Sequence, residues 1–286
     1  MKLKDILKQS SEADYAIGHF NFSTLGILRS VVAACKNNNS PVFLGTSESE
    51  VKYVGYAQAV ALVKAFREDT GLLIFLNADH HKSFDSAKKA IDAGYDSVQI
   101  DATALSVEEN TEVSKRVVEY AQSVNPDISV EGELGYIRGS SELLDEKVEV
   151  APEDMTSPDD AKRFVTETGV DRLAVVFGNV HGISLFGNPR LDIERLKSIH
   201  KAIPDIPLTL HGGSGIKDED IKATLVHGMS NVHVNTEIRV AYSNALREAL
   251  DGDETTTPYK YLLKADEAAQ KVVEEKLKLF QAVDIL

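Results

Sequence analysis

The clearest candidates for a chemical role in this sequence are three histidines, His80, His181 and His211. Neutral imidazole is the commonest nitrogen ligand of zinc, and three protein ligands with one open position describe a catalytic metal centre. The three histidines are far apart in the chain, so their spacing alone does not establish a site. Whether they can share one ion depends on the fold that positions them.

Short apolar segments alternate with segments of helical periodicity along the chain. Buried strands that alternate with helices form a parallel sheet, and eight such units close into a barrel. We therefore predict an α/β fold, a (β/α)8 TIM barrel with a C-terminal helical extension. An open doubly wound sheet is the alternative, but it would usually carry a glycine-rich phosphate turn after an early strand. The predicted strands are residues 15–20, 42–44, 72–76, 97–100, 128–130, 172–176, 207–210 and 231–234, and the predicted helices are 25–36, 56–68, 83–93, 107–124, 158–168, 193–202, 218–227 and 238–250.

The chain of 286 residues is predicted to form one barrel domain, residues 1–286. Single α/β barrels commonly run to about 250 residues. The remainder is assigned to residues 251–286, as a linker (251–257) and a final helix (264–280). Residues 135–158 form a long polar stretch without clear periodicity, and loops of this length are usually functional lids or mobile insertions.

The charge balance argues against two classes of partner. The chain has 31 Lys and Arg residues against 45 Asp and Glu residues, and a net charge of −14 opposes binding to nucleic acid or to an anionic membrane. The single cysteine, Cys35, cannot form an internal disulfide, and the first residues show no basic segment followed by an apolar one. We therefore expect a cytoplasmic protein that binds neither nucleic acid nor membrane.

The carboxyl ends of the predicted strands are unusually polar. Because a barrel assembles its active site from the loops at these ends, the side chains there should meet at one mouth. In chain order they are Asn21, Ser47, Asp79, His80, His81, Asp101, Glu131, Glu133, His181, His211, Ser214, Asn235 and Thr236.

The remaining histidines are weaker candidates for metal ligands. His200 and His227 lie on predicted helices, where a solvated or hydrogen-bonded histidine is the simpler interpretation. His19 is expected to be structural. His81 directly follows a candidate ligand and is expected to point the other way.

Two glycine-rich segments follow consecutive predicted strands, and each contains a candidate ligand. They are residues 178–182 (Gly-Asn-Val-His-Gly) and 211–215 (His-Gly-Gly-Ser-Gly). Glycine lets the backbone approach a ligand closely, and free N–H groups near a helix start bind phosphate. Many barrels build a phosphate site from the last two βα loops, where this chain has Gly213, Ser214, Asn235 and Thr236.

These motifs resemble the class II, metal-dependent ketose bisphosphate aldolases, the family of fructose-bisphosphate and tagatose-bisphosphate aldolases. The resemblance runs nearly end to end. The matching segments are 18–21 (Gly-His-Phe-Asn), 77–81 (Asn-Ala-Asp-His-His), 99–102 (Gln-Ile-Asp-Ala), 131–135 (Glu-Gly-Glu-Leu-Gly), 177–182 (Phe-Gly-Asn-Val-His-Gly), 210–215 (Leu-His-Gly-Gly-Ser-Gly) and 235–237 (Asn-Thr-Glu).

The resemblance implies a zinc-dependent lyase of glycolysis and carbohydrate metabolism. It would cleave a ketose bisphosphate reversibly, in the first instance fructose 1,6-bisphosphate to dihydroxyacetone phosphate and glyceraldehyde 3-phosphate. A homodimer or homotetramer is expected. One zinc, or another divalent ion, would be held by His80, His181 and His211, with an alternative metal position near Asp101 and Glu133.

The resemblance also implies roles for the remaining site residues. Asp79 would be the general acid and base at the C4 hydroxyl, and Glu142 on the mobile loop would move a proton at C3, with Glu146 as the alternative. The substrate, its phosphate and a monovalent cation would be bound by a set that comprises Asn21, Ser47, Gly182, Gly212, Gly213, Ser214, His233, Asn235 and Thr236.

Three departures from the family pattern fall on substrate-contacting positions. Arg138 precedes Gly139 where two glycines are common, and His233 stands where asparagine is usual. Tyr259 and Lys260 stand where an arginine often reaches the second phosphate in a partner subunit. The alternatives are therefore a lyase for tagatose 1,6-bisphosphate or another phosphorylated ketose, and a non-catalytic sugar-phosphate-binding barrel. The predicted strand ends carry no lysine, which counts against a Schiff-base mechanism.

Overall fold

A computed structural model of the chain describes residues 1–252 and 255–285. Within these ranges, eight parallel strands form a closed barrel with helices between them. The predicted TIM barrel is confirmed. The open sheet is wrong, because the first barrel strand pairs with both the second and the last.

The helices and strands have the following bounds. The helices are α1 (Leu3–Glu12), α2 (Leu25–Asn37), α3 (Glu48–Val54), α4 (Tyr56–Thr70), α5 (Phe84–Ala93), α6 (Val107–Val124), α7 (Pro158–Thr168), α8 (Ile193–Ala202), α9 (Asp218–Leu225), α10 (Thr236–Gly252) and α11 (Pro258–Leu279). The strands are β1 (Ile17–Asn21), β2 (Val42–Ser47), β3 (Ile74–His81), β4 (Ser97–Ile100), β5 (Ser129–Leu134), β6 (Gly139–Leu144), β7 (Arg172–Val175), β8 (His181–Ser184), β9 (Leu208–Leu210) and β10 (Met229–His233). The barrel order is β1-β10-β9-β7-β5-β4-β3-β2, and β6 pairs with β8 in a separate small sheet.

The structure differs from the prediction at several elements. The stretch 135–158, expected to be irregular, contains β6, because β6 pairs with β8 and a pairing between distant segments leaves no local period. Helices α1 and α3 were not predicted. The final helix begins at Pro258 rather than at residue 264, since proline suits the first helical turn. Of the predicted linker 251–257, the first two residues end α10, and residues 253–254 lie outside the described part of the chain.

Helix α1 closes the amino-terminal end of the barrel. Its buried side chains Leu3, Ile6 and Leu7 pack in one cluster with Phe43 and Phe75, which lie near the starts of β2 and β3. Full burial of a large apolar side chain contributes about 1.5–3 kcal/mol. Helix α1 therefore stabilises the end of the barrel opposite the polar strand ends.

Helix α11 packs against α2 and α10 on the outside of the barrel. Its buried residues Ala265, Ala269, Val273 and Leu277 recur every four residues and so share one face. The C-terminal extension is thus a part of the outer helical layer. In the described ranges, none of the helices combines the length and the apolar character needed to cross a membrane.

Candidate active site

The carboxyl ends of the barrel strands surround a small open cavity of about 40 Å³. The predicted site residues that line it are Asn21, Asp79, His80, His181, Gly182, His211, Gly212, Ser214, His233, Asn235 and Thr236, and Ser141 joins them. Among the described residues, the predicted site residues that do not line this cavity are Ser47, Asp101, Glu133, Glu142 and Gly213.

A local distortion of β3 turns two adjacent side chains into the cavity. Side chains normally alternate between the two faces of a strand, so Asp79 and His80 would not both face inward. His80 has φ +49°, in the left-handed region that side-chain-bearing residues seldom adopt, and the pairing of β3 with β4 shifts register there. Gln99 Oε1 accepts a hydrogen bond of 2.7 Å from the His80 amide. His81 then points outward, and its buried ring packs edge-on against Tyr56, as expected from the sequence.

Three imidazoles converge in the cavity. One ring nitrogen from each of His80, His181 and His211 lies within 4.8 Å of the others. His211 Nδ1 is 3.0 Å from His80 Nε2. On its other side, His80 Nδ1 is 3.1 Å from Asp101 Oδ2 and 3.7 Å from Glu133 Oε2. The two edges of the His80 ring therefore face two groups of candidate ligands.

The charges around these histidines are compatible with a cation. Burial alone would lower the pKa of His80, but the carboxylates of Asp79 and Asp101 raise it to about 10. Burial, reinforced by the neighbouring imidazoles, lowers the pKa of His181 to about 3. Burial and the nearby Asp101 carboxylate raise the pKa of Glu133 to about 7. The raised pKa of His80 shows that the surrounding carboxylates favour a positive charge at this place, and a divalent transition metal bound by imidazole and carboxylate ligands would supply that charge.

Asp79 is held as a buried carboxylate at the edge of this group. Its Oδ2 accepts a hydrogen bond of 2.8 Å from Asn21 Nδ2, and its Oδ1 is 3.2 Å from His233 Nδ1. Burial alone would raise the pKa of Asp79, but His80 and His233 hold it well below its ordinary value. An ionised carboxylate next to candidate metal ligands can act as a general base.

Two stacked histidines lie behind Asp79. The rings of His19 and His233 are parallel, with centroids 3.5 Å apart. Asn231 Nδ2 donates to the Ile17 carbonyl, so Asn231 Oδ1 is left to accept a hydrogen bond of 2.8 Å from His233 Nε2. His19 was expected to be structural, yet its ring lies against His233, a cavity residue. The signal was its place next to Asn21 at the end of β1.

Ser47 is engaged in a helix cap. It begins α3, and its hydroxyl and amide both donate to Glu50 Oε2, which forms a capping box. Glu50 also accepts hydrogen bonds from Asn21 and Asn235. Sequence reasoning missed Glu50, although a serine followed three residues later by glutamate is the signature of this motif.

The glycine-rich loops form a cradle beside the imidazoles. Gly182 and Gly212 have φ +87° and +68°. A Cβ at Gly182 would lie 2.2 Å from the Ser140 carbonyl oxygen, and one at Gly212 would lie 2.1 Å from that of Val180. Only glycine fits both positions, so the backbone comes close to the cavity. Thr236 starts α10, whose amino-terminal N–H groups favour an anion.

Comparison with known proteins identifies the family of this chain. The family model described as fructose-bisphosphate aldolase class-II matches residues 1–284. The chain belongs to this family.

Two kinds of relative agree with the family assignment. A fructose-bisphosphate aldolase of Staphylococcus epidermidis is 36% identical over 98% of this chain and 96% of its own length. The crystal structure of the YdjI aldolase from Escherichia coli K12 has a TM-score of 0.84 at 27% identity and covers 99% of this chain and 97% of that one. A putative fructose-1,6-biphosphate aldolase from Coccidioides immitis has a TM-score of 0.86 over 99% and 97% of the two chains, and at 24% identity it bears on the fold alone. The resemblance seen in the sequence is confirmed.

The two predicted loop acids, Glu142 and Glu146, lie in different places relative to the cavity. Glu142 lies exposed on β6, directly after the cavity residue Ser141. Glu146 lines a separate cavity, and its carbonyl accepts a hydrogen bond of 2.7 Å from Ser184 Oγ. Arg138 is bound to Asp154 by two hydrogen bonds, of 2.5 and 3.1 Å.

Sequence reasoning also missed charged residues that support the cavity. Arg239, one turn into α10, donates to the Ser141 carbonyl, and its Nε has no hydrogen-bond partner in the described ranges. Glu237 Oε1 accepts a hydrogen bond of 2.8 Å from the Gly215 amide, and Lys276 on α11 pairs with Glu237 at 2.7 Å. Helix α11 thereby supports the loop that contains the cradle.

Proposed function

We propose that this chain is a metal-dependent aldolase that cleaves a ketose bisphosphate between C3 and C4. The proposed substrate is fructose 1,6-bisphosphate, and the products are dihydroxyacetone phosphate and glyceraldehyde 3-phosphate. The observation that carries the proposal is that three convergent imidazoles, a buried carboxylate and a glycine cradle share one cavity. Family membership and the names of the relatives support aldolase chemistry.

One zinc ion per chain is assigned to His80, His181 and His211, because three imidazoles are a typical catalytic zinc set. Asp101 and Glu133, on the other edge of the His80 ring, offer an alternative position for this or another divalent ion. When bound, the metal stabilises the negative charge that develops on the C2 carbonyl oxygen of the substrate as the C3–C4 bond breaks.

The chain's own carboxylates move the protons. In cleavage, Asp79 takes the proton of the C4 hydroxyl, C4 becomes an aldehyde, and the electron pair of the C3–C4 bond stays with the C3 fragment. Asn21 orients the Asp79 carboxylate through its hydrogen bond. Glu142 then supplies a proton at C3. It is preferred to Glu146 because only Glu142 adjoins the cavity residue Ser141.

Two regions would bind the phosphates. The cradle takes one phosphate together with a monovalent cation. It is made by the cavity residues Gly182, Gly212 and Ser214, by Gly213 between the last two in the chain, and by Thr236 at the start of α10. Asn235 and His233 face the sugar between the cradle and Asp79.

For the second phosphate, Arg239 is preferred to Arg138 and Lys260, the two cations at the departures from the family pattern. The Arg239 guanidinium donates to the carbonyl of Ser141, which lines the cavity. Arg138 is already paired with Asp154, and Tyr259 lines a different cavity with Leu25 and Arg29.

The setting of the reaction is also proposed. The chain acts as one barrel domain, residues 1–286, with 251–286 as the extension, in cytoplasmic glycolysis and as a homodimer or homotetramer. A reducing compartment is supported by Cys35, a buried thiol whose pKa is raised by burial.

The test is cleavage of fructose 1,6-bisphosphate, tagatose 1,6-bisphosphate and fructose 1-phosphate by zinc-loaded and chelator-treated protein. We expect the fructose bisphosphate to be cleaved fastest, activity to fall by at least about 100-fold on chelation, and zinc to restore it. Full activity after chelation, or a lysine adduct trapped by borohydride, would contradict the metal mechanism. Preference for the tagatose ester would change the sugar, and stoichiometric zinc without cleavage of any of the three would indicate a binding barrel.

A further inference from the structure

An arginine and a glutamate are buried inside the barrel below the three imidazoles. Arg172 at the start of β7 and Glu131 on β5 have no exposed surface, and Arg172 Nε donates to Glu131 Oε2. Barrel interiors are usually filled by branched apolar side chains. A buried ion pair is weak evidence for stability, since apolar side chains of similar volume often do as well. The pair therefore calls for another explanation.

The donors of Arg172 are taken up by polar side chains of neighbouring strands. NH1 donates to Ser129 Oγ at 2.9 Å, and NH2 donates to Ser97 Oγ at 2.8 Å and to Asn77 Oδ1 at 3.2 Å. The guanidinium also lies over the Phe43 ring, 5.0 Å from its centroid. A guanidinium does not lose its proton in a protein, so Arg172 is a fixed positive charge that keeps Glu131 a carboxylate.

The carboxylate of Glu131 reaches His211. Its Oε1 is 2.7 Å from His211 Nε2, while its Oε2 also accepts a hydrogen bond of 3.1 Å from Thr209 Oγ1. A carboxylate only accepts hydrogen bonds, so the proton of the His211 ring must sit on Nε2. The lone pair is then on Nδ1, the nitrogen that faces His80 Nε2 at 3.0 Å.

We propose that Arg172 and Glu131 are positioning residues that set the metal affinity of His211. Their hydrogen bonds fix its tautomer and ring orientation, so that Nδ1 presents its lone pair to the metal. The inference rests on the metal centre of the proposed function. It goes further, because it assigns a role to two buried residues that do not touch the substrate.

The experiment compares zinc affinity by chelator competition in full-length Glu131→Gln, Arg172→Met and wild-type protein. An amide in place of Glu131 must present its NH2 group either to Arg172 or to His211 Nε2, and the latter favours the wrong tautomer. We expect zinc to bind about 10–100-fold more weakly in both variants. Arg67→Met is the matched control, since Arg67 pairs with Asp96 and donates to the Ile74 carbonyl away from the cavity. Its zinc affinity should stay within twofold of wild type.

Two further measurements test the proposal even if one of the single variants fails to fold. The double variant Glu131→Leu with Arg172→Met leaves neither buried charge uncompensated, and it too should bind zinc at least about 10-fold more weakly. In wild-type zinc-loaded protein, long-range ¹H–¹⁵N NMR reports which nitrogen of His211 carries the proton, with the signal assigned by its loss in His211→Asn. We expect the proton on Nε2.

The outcomes separate this inference from the proposed function. Wild-type zinc affinity in folded Glu131→Gln or in the double variant, or a proton on Nδ1, would overturn the positioning role while leaving the aldolase intact. If Arg67→Met lost as much zinc affinity as Arg172→Met, the effect would be one of general destabilisation, and this result would also overturn the positioning role. A wild-type chain that binds no zinc would remove the proposed metal centre itself.

Discussion

At the scale of single residues, the site depends on one unusual backbone conformation. The left-handed φ of His80 lets Asp79 and His80 face the same cavity although they are neighbours in β3. Residues held in sparsely populated conformations cluster at functional sites, where the surrounding structure sustains the strain. Here the Gln99 side chain holds the His80 amide. Asp79, the proposed acid–base group, is thus placed directly beside the three histidines proposed to bind the metal.

Asp79→Ala separates proton transfer from metal binding. We expect the variant to keep about one zinc per chain and to lose kcat by a factor of about 100 or more, the usual scale for a positioned acid or base. Metal content and steady-state cleavage of fructose 1,6-bisphosphate measure the two effects. His181→Ala is the comparison variant and should lose both zinc and turnover. Loss of zinc in Asp79→Ala would place Asp79 among the ligands instead.

The residues that sequence reasoning found and missed differ in a physical way. Asp79, His80 and His211 were found because a barrel brings all its strand ends to one mouth, so position along a strand predicts position in the site. Arg172 and Lys276 were missed because their partners are distant in the chain. Taken alone, each of the two resembles an ordinary surface charge.

At the scale of elements, the strand β6 and the first turn of α10 meet over the cavity. Arg239 on α10 donates to the Ser141 carbonyl on β6, and Ser141 and Thr236 both line the cavity. A charge-assisted hydrogen bond contributes roughly 1.5–3 kcal/mol. The arginine therefore joins the covering strand to the helix that starts at the cradle.

Arg239→Ala is expected to raise KM for fructose 1,6-bisphosphate by about 10–100-fold, the loss of one such bond to the second phosphate. KM for fructose 1-phosphate, which lacks that phosphate, should change much less. Arg247→Ala on the exposed side of the same helix is the control and should leave both values unchanged. Equal increases for the two sugars would show that Arg239 only holds β6 and does not bind the phosphate.

The elements themselves were predictable where the pattern is local. The strand β4 has its predicted bounds, 97–100, because this short run with Val98 and Ile100 is bounded by Asp96 and Asp101. The strand β3 runs to His81, five residues beyond its predicted end, because the distortion at His80 carries the pairing onward. The pairing of β6 with β8 was not predictable from periodicity, because the two strands lie about forty residues apart in the chain. Periodicity is measured over windows of about 11–18 residues, which are too short to include both strands of such a parallel pair.

At the scale of the whole molecule, the proposed ion ties together parts of the barrel that are distant in sequence. His80 ends β3, His181 starts β8 outside the barrel sheet, and His211 follows β9. These ligand atoms meet within 4.8 Å only in the folded chain. Zinc binding should therefore be coupled to global stability, because an ion that binds only the native state shifts the unfolding equilibrium.

We expect zinc at about 1,000 times its Kd to stabilise the fold by roughly 4 kcal/mol and to raise Tm by roughly 8 °C relative to chelator-treated protein. Calorimetry or circular dichroism with and without zinc measures this shift. His181→Ala removes one ligand without touching the barrel strands, so its Tm should respond little to zinc. Because the stabilisation depends on native-state binding, an equal shift in that variant would show that zinc binds elsewhere, and no shift in wild type would contradict a site assembled by the barrel.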